Sequence, residues 1–271
     1  MKVSELKEQT APGHPAAARL LAQNRLAKQR LSTLSPEHRP RDEAAAYAIQ
    51  AQLHTELAPK LGKIAGHKIG CTTAVMQRFL NIPNPCAGGV FANTVHLSGK
   101  TIPHNNFVRP GVECEIVVFL QKDLPPINLP YSQETVVDAV GAIAAGIEIV
   151  DDRYVDYKTL DTATLIADDF FDAGCVIGAP VHDWRSIDVP NLNGRTSING
   201  TEVGGGIARD VMGHPFAALA WLANSLIGRG QYLKRDEFVF TGSVVETRWV
   251  DRGDTVAVEI DRLGTTTMTF S

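Results

Sequence analysis

The sequence predicts an α+β fold in which an N-terminal helical layer, residues 1–62, precedes a β-rich body, residues 63–271. Three observations predict it. Helix-type and strand-type segments are segregated along the chain, not alternated as in a doubly wound nucleotide fold. The texture changes near residue 62 from Ala-rich stretches to short segments broken by Gly and Pro, and the last third has strand composition almost throughout. The 271 residues, 44% hydrophobic and 21% charged, suffice for a sizeable core. With 26 Lys and Arg against 30 Asp and Glu the formal net charge is -4, and no basic block is dense enough to follow a phosphate backbone, so nucleic acid is not an expected partner. Residues 1–10 are charged, and no apolar run reaches the roughly 18 residues of a membrane span, which points to a soluble, cytoplasmic protein. Cys71, Cys86, Cys114 and Cys175 make no close pair of zinc-ribbon or redox type and read as reduced, mostly buried thiols.

Over residues 15–34, Ala18, Leu20, Leu21, Leu26 and Leu31 recur at helical spacing until Ser35-Pro36 ends the pattern. A second helix is expected over 41–57, carrying Tyr47, Ile49 and Leu53, with Pro59 and Gly62 as its stop. A glycine-flanked strand, Gly66-His67-Lys68-Ile69-Gly70, and a helix over 73–80 follow. Residues 113–120 alternate and then turn wholly apolar, as in a strand, while 134–145 reads as a helix and 146–150 and 175–177 as strands. Segments 195–198 and 201–203 flank Asn199-Gly200, the dipeptide that supplies two positive-φ residues to a tight hairpin. His214-Pro215 opens a helix to residue 227, with His214 expected to cap it, and Gly228 and Gly230 stop it. Strands close the chain at 237–241, 244–249, 255–260 and 265–270. Gly204-Gly205-Gly206 lacks the strand-turn-helix setting of a phosphate loop and is expected to be a flexible loop beside the pocket.

The chemistry concentrates in Val112-Glu113-Cys114-Glu115-Ile116, where two carboxylates two residues apart share one face of an apolar strand and Cys114 faces the interior. Like charges that close repel, so a stable ionised pair calls for a cation between them. Glu148, in Gly146-Ile147-Glu148-Ile149, is a third carboxylate in an apolar strand, where an unpaired charge is costly. An all-oxygen set suits Mg²⁺ or Mn²⁺ and leaves coordination positions for substrate and water. Spacing alone leaves a second account open, in which these residues pair with Arg109, Arg153 or a Lys. Lys68, held between glycines, is suited to binding a substrate carboxylate or moving a proton, with Thr72 or Thr73 as hydroxyl donors.

Taken together, Gly66 to Thr73, Met76-Gln77, Pro85 to Phe91, the Glu113/Glu115 pair, Glu148, Gly213-His214-Pro215 and Thr241-Gly242-Ser243 resemble the 2-keto-4-pentenoate hydratase group of the fumarylacetoacetate hydrolase superfamily, in order and over nearly the whole chain. The resemblance implies a mixed-sheet roll or barrel of the superfamily's C-terminal-domain type. It implies Mg²⁺ or Mn²⁺ on Glu113, Glu115 and Glu148; Lys68 beside a bound 2-oxo acid; Asp168 as a second acid/base residue that orients or deprotonates water; and Thr72, Thr73, Asp169 and Thr241 around the substrate. The implied reaction adds water to a short 2-hydroxy-2,4-dienoate from meta-cleavage of aromatic compounds, giving a 4-hydroxy-2-oxo acid. A 4-oxalocrotonate-type decarboxylase, or a catalytically silent 2-oxo-acid-binding partner subunit, fits the same motifs. Such proteins usually form homo-oligomers, and hydratases and decarboxylases of this group associate.

Two departures bear on substrate. Pro110 is followed by Gly111 where the family usually has Arg, with Arg109 one position before. Asp168-Asp169-Phe170-Phe171 is more acidic and bulkier than the family's usual Asp-Asn and small residues, which suits a smaller or less anionic substrate tail.

Overall fold

The computed structural model describes residues 14–80 and 82–271, so the charged segment 1–10 lies outside the described residues. In chain order the elements are α1 (His14–Ala27), α2 (Glu43–Leu61), β1 (Ile64–Gly70), α3 (Ala74–Leu80), β2 (Cys86–Phe91), β3 (Val95–Leu97), β4 (Lys100–Ile102), β5 (Pro110–Leu120), α4 (Gln133–Val136), β6 (Val140–Asp151), α5 (Thr162–Ala167), β7 (Asp172–Ile177), β8 (Asn193–Ile198), β9 (Thr201–Ile207), α6 (Pro215–Gly228), β10 (Phe238–Trp249), β11 (Thr255–Ile260) and β12 (Gly264–Phe270). They build the expected α+β architecture from two mixed sheets, neither closed into a barrel: seven strands in the order β2-β1-β10-β5-β6-β7-β3, and five in the order β4-β12-β11-β8-β9.

The long antiparallel pair β5 and β6 forms the spine, with Glu113 opposite Glu148 and Glu115 opposite Gly146. Alternation sends Val112, Cys114, Ile116 and Val118 to the other face of β5, where they join one core with Ala18, Ile49 and Leu53 of the helical layer and Val256 and Met268 of the second sheet. A smaller cluster around Val117, Cys175 and Phe240 fills the first face beyond the glutamates. All four cysteines are buried and unpaired, as expected.

Several local expectations are corrected. The first helix ends at Ala27, not near 34: Lys28 turns left-handed (φ 55°), and Leu31 donates its N–H to Arg153 at 2.9 Å and pairs with Tyr154. The second helix starts after Asp42, whose carboxylate accepts the Ala45 N–H, and runs through Pro59 to Leu61. A Pro so near the C-terminus frees only one carbonyl, so the helix tolerates it. The helix expected over 134–145 is limited to Gln133–Val136 and a short 3₁₀ turn, and β6 begins at Val140. Burial between layers outweighs the helix propensity of its alanines. The strands expected at 237–241 and 244–249 are one strand, β10, bulged around Gly242 (φ 117°). Gly204-Gly205-Gly206 lies within β9, where a Cβ on Gly206 would strike the Val244 carbonyl; close backbone approach, not flexibility, explains these glycines. The Asn199-Gly200 hairpin (φ 52° and 79°) and the His214 cap, whose Nδ1 accepts the Phe216 N–H at 2.9 Å, are as predicted.

Candidate active site

The β5–β6 register and the two-residue repeat bring Glu113, Glu115 and Glu148 together: one carboxylate oxygen from each lies within 4.8 Å of the others. Glu115 and Glu148 are essentially inaccessible to solvent and Glu113 is half-buried. Of the cations that could have neutralised them, Arg109 and Arg153 are engaged elsewhere, Arg109 with Asp152 at 3.3 Å and Arg153 with Asp168 at 3.0 Å, and only a Lys takes part. Lys68 of β1 is also buried and sets Nζ 2.8 Å from Glu148 Oε1. Thr247 donates its hydroxyl to Glu113, and the Gly242 N–H donates to Glu115 Oε2 at 2.8 Å.

One ammonium cannot balance three carboxylates of which two are fully buried. Burial, then the charges of Glu148 and Glu113, push Glu115 well above the usual carboxylate range. Burial raises Glu148 to about 7 even though Lys68 opposes it. Lys68 loses basicity through burial but regains more from Glu148 and Glu113, so it stays protonated. Glu115 Oε1 and Glu148 Oε2 are buried without a hydrogen-bond partner. A cluster of hard oxygens, two of them orphaned and two carboxyls held at raised pKa, fits a divalent cation, whose charge would reverse those shifts.

The remaining predicted residues fall in different places. Thr72 packs its side chain against Gly242, so tightly that a Cβ there would meet its hydroxyl. Thr73 Oγ1 accepts the Met76 N–H and so starts α3. Thr241 is buried and donates to the Ile116 carbonyl at 2.9 Å. Asp168 Oδ2 takes Arg153 Nε and the Tyr154 hydroxyl, each at 3.1 Å, and leaves Oδ1 unpartnered. Asp169 is fully buried and occupied by Arg25 Nη1 at 3.1 Å, His54 Nε2 at 2.6 Å and the Gly89 N–H at 3.0 Å.

Two contributors escape sequence reasoning, and a third is legible there without its partner. Asp172, fully buried and raised by burial to about 6, interacts electrostatically with Lys68. Arg25 bridges Asp169 and Asp172, each at 3.1 Å. Phe170 places its ring 5.5 Å from Lys68 Nζ. Nothing in the local pattern around Arg25 signals a partner more than 140 positions away, whereas the unusual Phe170-Phe171 pair was visible. A separate cavity of about 480 Å³, lined by Arg25, Lys28, His96, Lys100 and Phe107, includes none of the three glutamates and borders β6 through Ile149 and Asp151.

Comparison with known proteins agrees with this geometry. Residues 80–271 match the family described as fumarylacetoacetate (FAA) hydrolase C-terminal. A 2-keto-4-pentenoate hydratase of Burkholderia vietnamiensis is 31% identical over 236 residues, 85% of this chain and 87% of that protein. A 4-oxalocrotonate decarboxylase of Pseudomonas putida is 26% identical over 227 residues, 84% and 85% of the two chains. The structure of 4-oxalocrotonate decarboxylase from Pseudomonas putida G7, complexed with magnesium and adipate, superposes with a TM-score of 0.89 over 99% of both chains at 23% identity. The match over residues 80–271 and the similarity across most of the sequence agree: this chain belongs to the fumarylacetoacetate hydrolase C-terminal family.

Proposed function

We propose that the protein is a hydratase dependent on Mg²⁺ or Mn²⁺, which adds water to a short 2-hydroxy-2,4-dienoate to give a 4-hydroxy-2-oxo acid. The observation that carries this reading is the trio Glu113, Glu115 and Glu148, the last two buried and with orphaned oxygens, beside a protonated Lys68. Similarity to a 2-keto-4-pentenoate hydratase supports the substrate class. The ion, held by the three glutamates, would polarise the C1 carboxylate and C2 oxygen of the substrate.

The chain's own residues handle protons and orientation. Lys68 Nζ, fixed against Glu148, is placed to bind the substrate carboxylate or to deliver a proton to the far end of the diene. Protonation there leaves an α,β-unsaturated ketone that accepts water at C4. Asp168 is the proposed water-orienting carboxylate through Oδ1, the oxygen that Arg153 and Tyr154 leave free. Thr72, at the Gly242 bulge, is a further substrate hydroxyl. Thr73, Thr241 and Asp169 complete the proposed surround through the segments they fix.

A decarboxylase of the 4-oxalocrotonate type is the second reading, favoured by the 26% identical relative and by a site whose Lys68 and glutamates serve either reaction. A cytoplasmic, homo-oligomeric enzyme able to associate with such a decarboxylase belongs to the same proposal, and four unpaired buried thiols support a reducing compartment. Among the described residues no helix is long and apolar enough to cross a membrane. The test is loss of diene absorbance from 2-hydroxypenta-2,4-dienoate with Mg²⁺ or Mn²⁺, abolished by chelator. No metal-dependent turnover contradicts the hydratase reading, and CO₂ release from 4-oxalocrotonate would favour the second.

A further inference from the structure

The cavity of about 480 Å³ that lies apart from the glutamates has the volume of a small-molecule site. It forms where an outer strand of each sheet, β3 of the seven-stranded and β4 of the five-stranded, meets the end of α1. From β6 it takes Ile149 and Asp151, which by alternation face away from Glu148, so the cavity and the glutamates occupy opposite faces of that strand.

The charges that line it are unmatched. Asp151 is the one carboxylate of the lining, and its oxygens already accept the Val108 and Arg109 N–H groups at 2.7 to 3.1 Å. Arg25 and Arg153 also line the cavity but are taken up by Asp169, Asp172 and Asp168. Lys28 and Lys100 remain. Lys28 Nζ donates to neutral oxygens, the Asn105 carbonyl at 2.9 Å and Asn106 Oδ1 at 3.5 Å, and Lys100 has no acidic partner among the described residues. Burial and then the charge of Lys100 lower His96, another lining residue, so that ammonium is felt at the cavity wall. Elsewhere the lining is apolar, through Leu26, Ile102 and Phe107.

The end of α1 sets Lys28 in place. Gln29 donates its N–H to the Asn24 carbonyl at 3.0 Å and Lys28 to that of Arg25 at 3.3 Å, a helix ending whose left-handed residue is most often glycine. Here that residue is Lys28, at φ 55°. Left-handed non-glycine residues are strained and collect at ligand clamps, and the side chain that a glycine would lack is the one that brings an ammonium to the cavity.

We propose that this cavity is a second binding site, for a small organic carboxylate whose charge meets Lys28 and Lys100 and whose apolar body packs on Leu26, Ile102 and Phe107. A carboxylate supplies the missing counter-charge and accepts the ammonium hydrogen bonds, while the apolar walls favour a ligand that is more than an inorganic ion. The site stands independently of the metal reading above.

The test is calorimetric titration of the full chain, kept metal-free with chelator, with three probes: phenylacetate, its uncharged counterpart 2-phenylethanol, and inorganic phosphate. One phenylacetate per chain is expected, with the other two probes at least about tenfold weaker. Lys28→Gly, which suits the left-handed position, and Lys100→Met, on an exposed strand residue, are each expected to fold and to weaken phenylacetate at least about fivefold. Glu113→Ala is expected to leave that affinity unchanged, which separates the cavity from the glutamates. No binding of phenylacetate, equal binding of either other probe, affinity unmoved in both lysine variants, or affinity lost in Glu113→Ala would overturn the proposal.

Discussion

Lys68 and Glu148 face each other at 2.8 Å inside the protein, yet they differ in what their loss should do. Removing Lys68 as Lys68→Met takes away the proposed proton-handling group but none of the proposed metal ligands. The expected result is a drop in turnover of at least about a hundredfold with Mn²⁺ affinity retained, read by steady-state kinetics beside a titration. Asp169 gives a stability prediction of definite sign. Burial alone would raise its carboxyl, but His54, Arg25 and the Gly89 amide bring it down to about 2 from an ordinary 3.8. A lowered folded-state value means that the stabilisation is complete above the unfolded pKa and fades as pH falls from about 4 to about 2, by about 2 kcal/mol. Urea unfolding of Asp169→Asn and wild type should therefore converge across that window, and a gap unchanged down to pH 2 would contradict the assignment. At this scale the sequence was most legible: the period-two spacing of Glu113 and Glu115, and a carboxylate inside the apolar stretch at Glu148, were enough to suggest a shared cation. The partners of Asp169 were not legible, because sequence distance hides that Arg25 and His54 reach it.

The elements differ in how far local pattern decides them. The Asn199-Gly200 hairpin, the His214-Pro215 helix start and the closing strands β11 and β12 follow from turn and cap chemistry that acts within a few residues. β6 does not. Its Val140–Ala145 half is rich in alanine, and only pairing with β5 on one side and the bridge from Ile143 to Val181 on the other makes it a strand. The segment between α5 and β7, with Asp169, Phe170 and Phe171 in left-handed backbone, is likewise held from outside, which gives a prediction at this scale. Arg25→Met leaves Asp169 and Asp172 buried with one cation fewer and should destabilise the protein by about 3–5 kcal/mol, measured in urea. A loss below about 1 kcal/mol would mean that His54 and Gly89 alone hold the segment.

Across the whole molecule, the helical layer and the sheets share one core, and α1 and α2 supply the Arg25 and His54 that hold Asp169. The boundary near residue 62 marks a change of secondary structure more than a place where contacts lapse. Calorimetric unfolding of the metal-free chain should accordingly show one cooperative transition, and two resolved transitions would separate the layer from the body. Added Mn²⁺ should raise the transition temperature in proportion to the logarithm of its concentration once the site is saturated.

The central claim is that three glutamates, distant in sequence, hold one divalent ion. Calorimetric titration of the purified chain with Mn²⁺, repeated on Glu113→Ala and Glu115→Gln, tests it most directly. The account predicts one ion bound per chain in the wild type and affinity lost in both variants, with circular dichroism showing that each still folds. Equal affinity in all three proteins, or no binding in the wild type, would contradict it.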